Sequence, residues 1–181
     1  MGYFVGQAIG LLTTVCSVLM PYLKKKSQLL WANIAINALV ILNLVLIGQF
    51  GSAIFLCLVA IVQSLIALPR TQSGKEPSIR ETVLFTVLYV GFGFLGIVTA
   101  PGFLWAINYR NLLELLPILG ALSQMISVFV RDEQTTRFWL LCNAIFWMIY
   151  SGAVGSSVVV NDALAVVSTA SALYKYRKQK V

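Results

Sequence analysis

Seven apolar stretches, over roughly 4–23, 27–48, 51–69, 79–99, 111–130, 136–152 and 155–175, follow one another with short polar breaks. Each is close to the roughly 20 residues with which an α-helix crosses hydrocarbon. A chain of 181 residues and 19.9 kDa, 59% hydrophobic and 10% charged, cannot hide that much apolar surface in one water-soluble core. Lipid is the expected solvent, and there a backbone must satisfy its own hydrogen bonds. All seven segments are therefore expected to be transmembrane helices and not strands.

Charge placement tests the count, because one missed span moves every later loop to the wrong side. With seven spans, Lys24, Lys25, Lys26, Arg70, Lys75, Arg80, Arg131, Arg137, Lys175, Arg177, Lys178 and Lys180 share one face, which is 12 of the 13 basic residues. Arg110 alone falls on the other. The positive-inside rule then predicts an N-terminus outside and a C-terminus in the cytoplasm. Dropping the fourth span splits the cations 6 against 7 and removes the asymmetry. The net charge of +7 is thus explained by topology, and nucleic acid is not an expected partner. No Lys or Arg precedes the first apolar run, which is the reverse of a signal peptide, so that segment is expected to be retained as a helix.

The side-chain inventory narrows the chemistry. Histidine is absent, which removes Ser/His and Cys/His nucleophiles, HExxH zinc sites and histidine proton relays. Cys16, Cys57 and Cys142 lie in apolar segments, odd in number and without a CxxC pair, so free thiols are expected. Spans hold no second Asp for an aspartyl dyad. An enzyme is therefore not expected, nor a metal or other cofactor. Gly91-x-Gly93-x-x-Gly96 matches a dinucleotide fingerprint by letters only, with no strand before it. These glycines are expected to let the fourth helix pack closely on its neighbours, as are Gly6 and Gly10 in the first.

Polar residues inside the spans are the candidates for function. Glu114 stands one turn past Arg110, either as an interfacial ion pair or as a substrate-binding or protonatable carboxylate at the outer mouth. Pro117 removes a backbone hydrogen bond and is expected to bend the fifth helix; Pro21 is a second candidate hinge. Asp162, beside Asn161, has no basic partner in the spans, so it faces water, hydrogen-bonds neighbouring helices or is protonated. Asn33 and Asn37 share one helix face, and Asn143, Trp147 and Tyr150 another. Such amides either glue helices together or, with an aromatic plane, hold a polar solute in a central pocket. Gln63, Ser64, Ser123, Gln124, Ser168 and Thr169 could complete that lining.

An internal repeat is expected from two Gly-x-x-Gly-Ser turns. Gly48, Gly51, Ser52 and Ser64 fall on Gly152, Gly155, Ser156 and Ser168 at an offset of 104, while Gly10 and Ser17 fall on Gly120 and Ser127 at 110. The six-residue difference is assigned to gaps between the first and second helices. Asp162 then faces Leu58 in the repeat. A Ser78-Ile79-Arg80-Glu81 capping box is expected to start the fourth helix. Trp105 and Tyr109 suit an interfacial belt.

Leu113-Glu114-Leu115-Leu116-Pro117-Ile118-Leu119-Gly120, the Trp-rich stretch from Phe138-Trp139 to Trp147 and the Gly-Ser turns resemble the YgjV family of bacterial inner-membrane proteins. That family is similar to the PQ-loop/MtN3 group, with its SWEET and SemiSWEET sugar transporters. The resemblance implies an all-α membrane fold of two parallel three-helix bundles joined by a linker helix, a 3+1+3 plan. The first bundle would occupy 1–70, the link, linker helix and outer loop 71–110, and the second bundle with its basic tail 111–181. No Pro-Gln pair marks the hinges, and of the Asn that SWEET-type proteins place in each third helix only Asn161 is present.

The expected function is a small inner-membrane transporter or facilitator for a small polar solute, working by alternating access between the bundles. Asn37, Asn143, Trp147, Asn161, Asp162, Gln63 and Ser168 are the expected substrate contacts. Glu114, Pro117, Arg110 and Pro21 are expected at the gate or outer mouth. The alternative is a non-transporting receptor or assembly partner that binds a lipid or another membrane protein. Membrane lipids, the solute and a second copy of the chain are the expected partners.

Overall fold

The computed structural model describes residues 2–19, 26–73, 78–100, 103–105, 108–129 and 133–177. Among them are seven α-helices and no strand: α1 (Gly2–Leu19), α2 (Lys26–Leu46), α3 (Ser52–Gln72), α4 (Ile79–Thr99), α5 (Tyr109–Phe129), α6 (Glu133–Ala153) and α7 (Val158–Arg177). Every expected apolar stretch is one helix. Pro21 and several of the basic residues, Lys24 and Arg131 among them, lie outside the described residues.

The capping box is formed: the Glu81 N–H donates to Ser78 Oγ at 3.3 Å, and the Ser78 N–H donates to Glu81 Oε2 at 3.0 Å. Glu81 also pairs with Arg70 near the end of α3, a contact that ties the two helices across their link.

Six helices close a ring through the pairs α1–α2, α2–α3, α3–α5, α5–α6, α6–α7 and α7–α1, and α4 lies outside it against α3 and α5. Gly93 and Gly96 set that docking distance. A Cβ on Gly96 would stand 2.5 Å from Ser52 Cα, and one on Gly93 would stand 2.6 Å from Ile118 Cγ1. Gly91 does not pack as expected, because its α-carbon faces open space. Leu56, Val59, Phe85, Tyr89, Ile118 and Met125 form the apolar cluster beneath α4.

Polarity runs opposite to that of a water-soluble protein. Phe4, Val15, Trp31, Leu58, Leu65, Val83, Val87, Phe94 and Val167 are exposed, while Thr13, Asn43, Ser52, Ser64, Glu114 and Asp162 are buried. The expectation that all seven segments are apolar enough to span is met by two among the described residues, Ser52–Arg70 and Ile79–Thr99. Gly2–Ser17 and Leu30–Leu46 are apolar but shorter, and the last three helices carry Glu114 in α5, Asn143 in α6, and Asn161 and Asp162 in α7.

The two turns correspond, in a different register from the one expected. Gly48 and Gly155 share a positive φ of 76° and 69°, the left-handed conformation that glycine adopts without strain at a helix C-terminus. Each is followed by the same capping bond, Gln49 N–H to Leu44 O at 2.8 Å and Ser156 N–H to Ser151 O at 2.9 Å. Gly48 therefore corresponds to Gly155, an offset of 107 (155 − 48), and not to Gly152. Gln7 and Glu114, which make equivalent contacts in α1 and α5, obey the same 107 (114 − 7), so no net gap separates the first and second helices. The change falls in the following turn, which is two residues longer in the first repeat: by its hydrogen bonds Ser52 corresponds to Ser157, an offset of 105 (157 − 52). Asp162 then matches Cys57, not Leu58.

Candidate functional site

The helices border a half-open cavity of about 240 Å³ to which all seven contribute. Ser17 comes from α1; Asn33, Ile36, Asn37 and Val40 from α2; Leu56, Cys57 and Ala60 from α3; and Tyr89 from α4. Ala121 and Gln124 of α5, Asn143 and Trp147 of α6, and Val158, Asn161 and Asp162 of α7 complete the wall. Asn37, Asn143, Trp147, Asn161 and Asp162 thus meet in one space. The volume is on the order of eight waters at about 30 Å³ each, room for a small solute.

The register explains the wall. Asn143 and Trp147 of the second repeat correspond to Ile36 and Val40 of the first, and Asn161 and Asp162 correspond to Leu56 and Cys57; all eight line the cavity. The same positions are turned inward twice, once with apolar and once with polar side chains. At these matched positions one repeat is mostly apolar and the other carries an acid, amides and an indole, while Ser17, Asn33 and Asn37 add polar groups to the first wall.

Asp162 is buried and accepts from Ser151 Oγ at 2.8 Å and from Asn161 Nδ2 at 3.4 Å. The amide nitrogen of Asn37 lies 2.8 Å from Asn33 O and 3.2 Å from Asn33 Oδ1, and the Asn33 amide donates to Ser64 Oγ at 2.8 Å. Asn33 and Ser64 thus join α2 to α3, the gluing role. Asn143 Oδ1 is buried without a partner among the described residues, and Trp147 lies between it and Tyr150, ring to edge at 6.2 Å. Gly120 makes room for the indole, since a Cβ there would come within 2.9 Å of Trp147.

Other expected contacts lie elsewhere. Gln63 accepts from the Tyr89 hydroxyl at 2.6 Å and so positions a lining residue without lining the cavity. Ser168 is exposed, with its hydroxyl turned back to Ala165 O at 3.1 Å. Tyr150 shares the helix of Asn143 and Trp147 but is buried against Glu114 instead.

Glu114 is not at an open mouth. It is 4% exposed, and its Oε2 accepts the Ser52 backbone N–H at 2.7 Å. The Ser52 hydroxyl lies 2.7 Å from Glu114 O and 2.8 Å from Oε2, and Tyr150 OH donates to Oε1 at 3.4 Å. The carboxylate caps the start of α3 from another helix, where unpaired amides and the helix dipole favour an anion. Gly51 leaves the room, because a Cβ there would overlap the carboxylate. Arg110 is exposed and not paired to Glu114, whereas Pro117 is fully buried three residues further along α5.

Sequence reasoning misses the counterpart of this contact. Ser157 N–H donates to Gln7 Oε1 at 2.7 Å, and Ser157 Oγ donates to Gln7 O at 2.7 Å, with Gly10 packed against Ser157. Gln7 is Glu114 shifted by 107, so each first helix caps the third helix of the other repeat. Asn43, also missed, is fully buried between Gly6 O at 2.7 Å and Ser156 Oγ at 2.6 Å. Its signal in the sequence is a third amide in the apolar run that holds Asn33 and Asn37.

The family model Imp-YgjV, described as bacterial inner membrane protein, matches residues 4–180. No curated protein and no solved structure matches the chain.

Proposed function

The chain belongs to the Imp-YgjV family of bacterial inner membrane proteins, and from that premise we propose a multi-pass transporter or facilitator that carries a small polar solute through the ring cavity. The observation that carries this reading is a cavity of about 240 Å³, lined by an acid and several amides, inside a ring whose outer surface is apolar. Pure helix glue needs no cavity, whereas here several polar groups converge on one.

In this reading α1–α3 and α5–α7 are two parallel bundles with α4 as the linker, the 3+1+3 plan. The bundles meet through α1–α7 and α3–α5, so the cavity lies at the seam between repeats, where alternating access by rocking needs it. The contacts of Gln7 and Glu114 hold the end at which α3 and α7 begin, the outside end if the basic clusters face the cytoplasm. Opening that end means releasing two matched sets of hydrogen bonds, with buried Pro117 a bending point beside one of them. No bond is made or broken in the solute, and the reading assigns no catalytic step.

The test is uptake by purified protein in liposomes over a panel of neutral, cationic and anionic solutes. Saturable flux of at least one solute, lost in Asn143→Ala and kept in lipid-facing Leu58→Ala, is expected. No flux of any solute, together with stoichiometric capture of a lipid or a second membrane protein, would instead make the bundle a receptor.

A further inference from the structure

We propose that the cavity selects a small organic monocation, an ammonium with a short aliphatic portion, bound with its nitrogen at Asp162 and its carbon end against Ile36, Val40 and Leu56. The proposal deepens the transport reading and rests on it for the cavity's role. Three observations on the wall lead to it.

The first is charge. Asp162 is an acid lining the cavity, and among the described residues no lysine or arginine lines it. A carboxylate offers about four acceptor positions. Two are taken, by Ser151 and more weakly by Asn161. A cation completes both the hydrogen bonding and the charge of a buried acid, whereas an anion placed there would add a like charge in low dielectric.

The second is the balance of donors and acceptors. The Asn37 amide nitrogen is committed to Asn33, the Asn33 amide donates to Ser64 and the Asn161 amide to Asp162. Asp162 keeps acceptor positions that none of these donors fills. An ammonium is donor only and matches them.

The third is the split of the wall between repeats. Trp147 lines the cavity, and an indole attracts a cation within about 6 Å of its ring centre. Ile36, Val40 and Leu56 stand at the matched positions of the other repeat and present only carbon, beside the amides of Asn33 and Asn37. That carbon suits the short aliphatic end of such a molecule.

Three probes of nearly equal size isolate the charge: butylammonium, 1-butanol and butyrate, measured for equilibrium binding to purified full-length protein. Butylammonium is expected to bind saturably and at least tenfold more tightly than either of the others. Asp162→Asn is expected to weaken it tenfold or more, Trp147→Leu severalfold, and Trp147→Phe less than Trp147→Leu. If Asp162→Asn does not fold, the order of the three probes on the unaltered protein decides. Butanol or butyrate binding as tightly as butylammonium overturns the proposal, as does the absence of binding by all three or unchanged cation affinity in Asp162→Asn. Saturable butylammonium binding without uptake into liposomes overturns the transport reading and leaves the selectivity standing.

Discussion

The carboxylate of Glu114 accepts the backbone N–H of Ser52 at 2.7 Å, across 62 positions of sequence, and caps a helix that belongs to the other repeat. Removing it leaves a buried amide and the Tyr150 hydroxyl without their acceptor, at about 1–3 kcal/mol for each unsatisfied group. Glu114→Ala is expected to lower the midpoint of thermal unfolding in detergent by several degrees. Glu114→Gln is expected to lose much less, because Gln7 performs the same capping with an amide oxygen. Equal losses in the two variants would show that the charge, and not the acceptor, is what α3 requires.

Gln7 and Ser157 share two hydrogen bonds of 2.7 Å between α1 and α7. A double-mutant cycle over Gln7→Ala and Ser157→Ala is expected to give a coupling of about 0.5–3 kcal/mol. Crossing Gln7→Ala with Ser52→Ala, which lies in the other contact, is expected to be additive to within about 0.5 kcal/mol. Unfolding midpoints of the three single and two double variants decide both.

Gly96 and Gly91 lie five residues apart in α4 and predict opposite outcomes. At Gly96 a methyl group meets the Ser52 backbone, which cannot rotate away, so Gly96→Ala is expected to push α4 off α3 and cost about 1–3 kcal/mol. Gly91→Ala meets nothing and is expected to be neutral or slightly stabilising, since alanine favours a helix by up to about 1 kcal/mol. Thermal stability of the two purified variants, side by side, is the check.

The helices are legible in the sequence because a membrane span leaves a long apolar run and the basic clusters punctuate it. The cavity is partly legible for the same reason: Asn37, Asn143, Trp147, Asn161 and Asp162 are costly in lipid, and all five are turned inward. Register is where letters mislead. The Gly-Ser turns align by identity at 104, yet the backbone conformations of Gly48 and Gly155 align them at 107, because a left-handed φ is required at one position of each turn and at no other. Glu114 reads as an interfacial acid because of its distance from Arg110 along one helix. Its actual partner, Ser52, lies on a different helix, and only tertiary packing supplies it. Gln7 escapes notice because an amide near a chain start carries no signal of its own.

Within the cavity, Asn143→Ala removes the unpartnered acceptor beside Trp147, and Asn37→Ala a lining amide on the opposite wall. Each is expected to lower initial uptake rates tenfold or more while leaving the unfolding midpoint within a few degrees. Ser168→Ala, at an exposed position, is expected to leave both unchanged. Uptake and stability measured on the same preparations separate loss of binding from loss of fold.

The most direct test of alternating access uses a residue the chain already has. Cys57 lines the cavity and is 3% exposed, and the other two thiols, Cys16 and Cys142, can be replaced by serine. A membrane-impermeant thiol reagent small enough for the cavity is applied to right-side-out and to inverted vesicles, and Cys57 modification is followed over time. Alternating access predicts modification from each face, slowed from both by a transported solute. Modification from neither face, with the thiol reactive only after unfolding, or from one face alone under every condition, would contradict it.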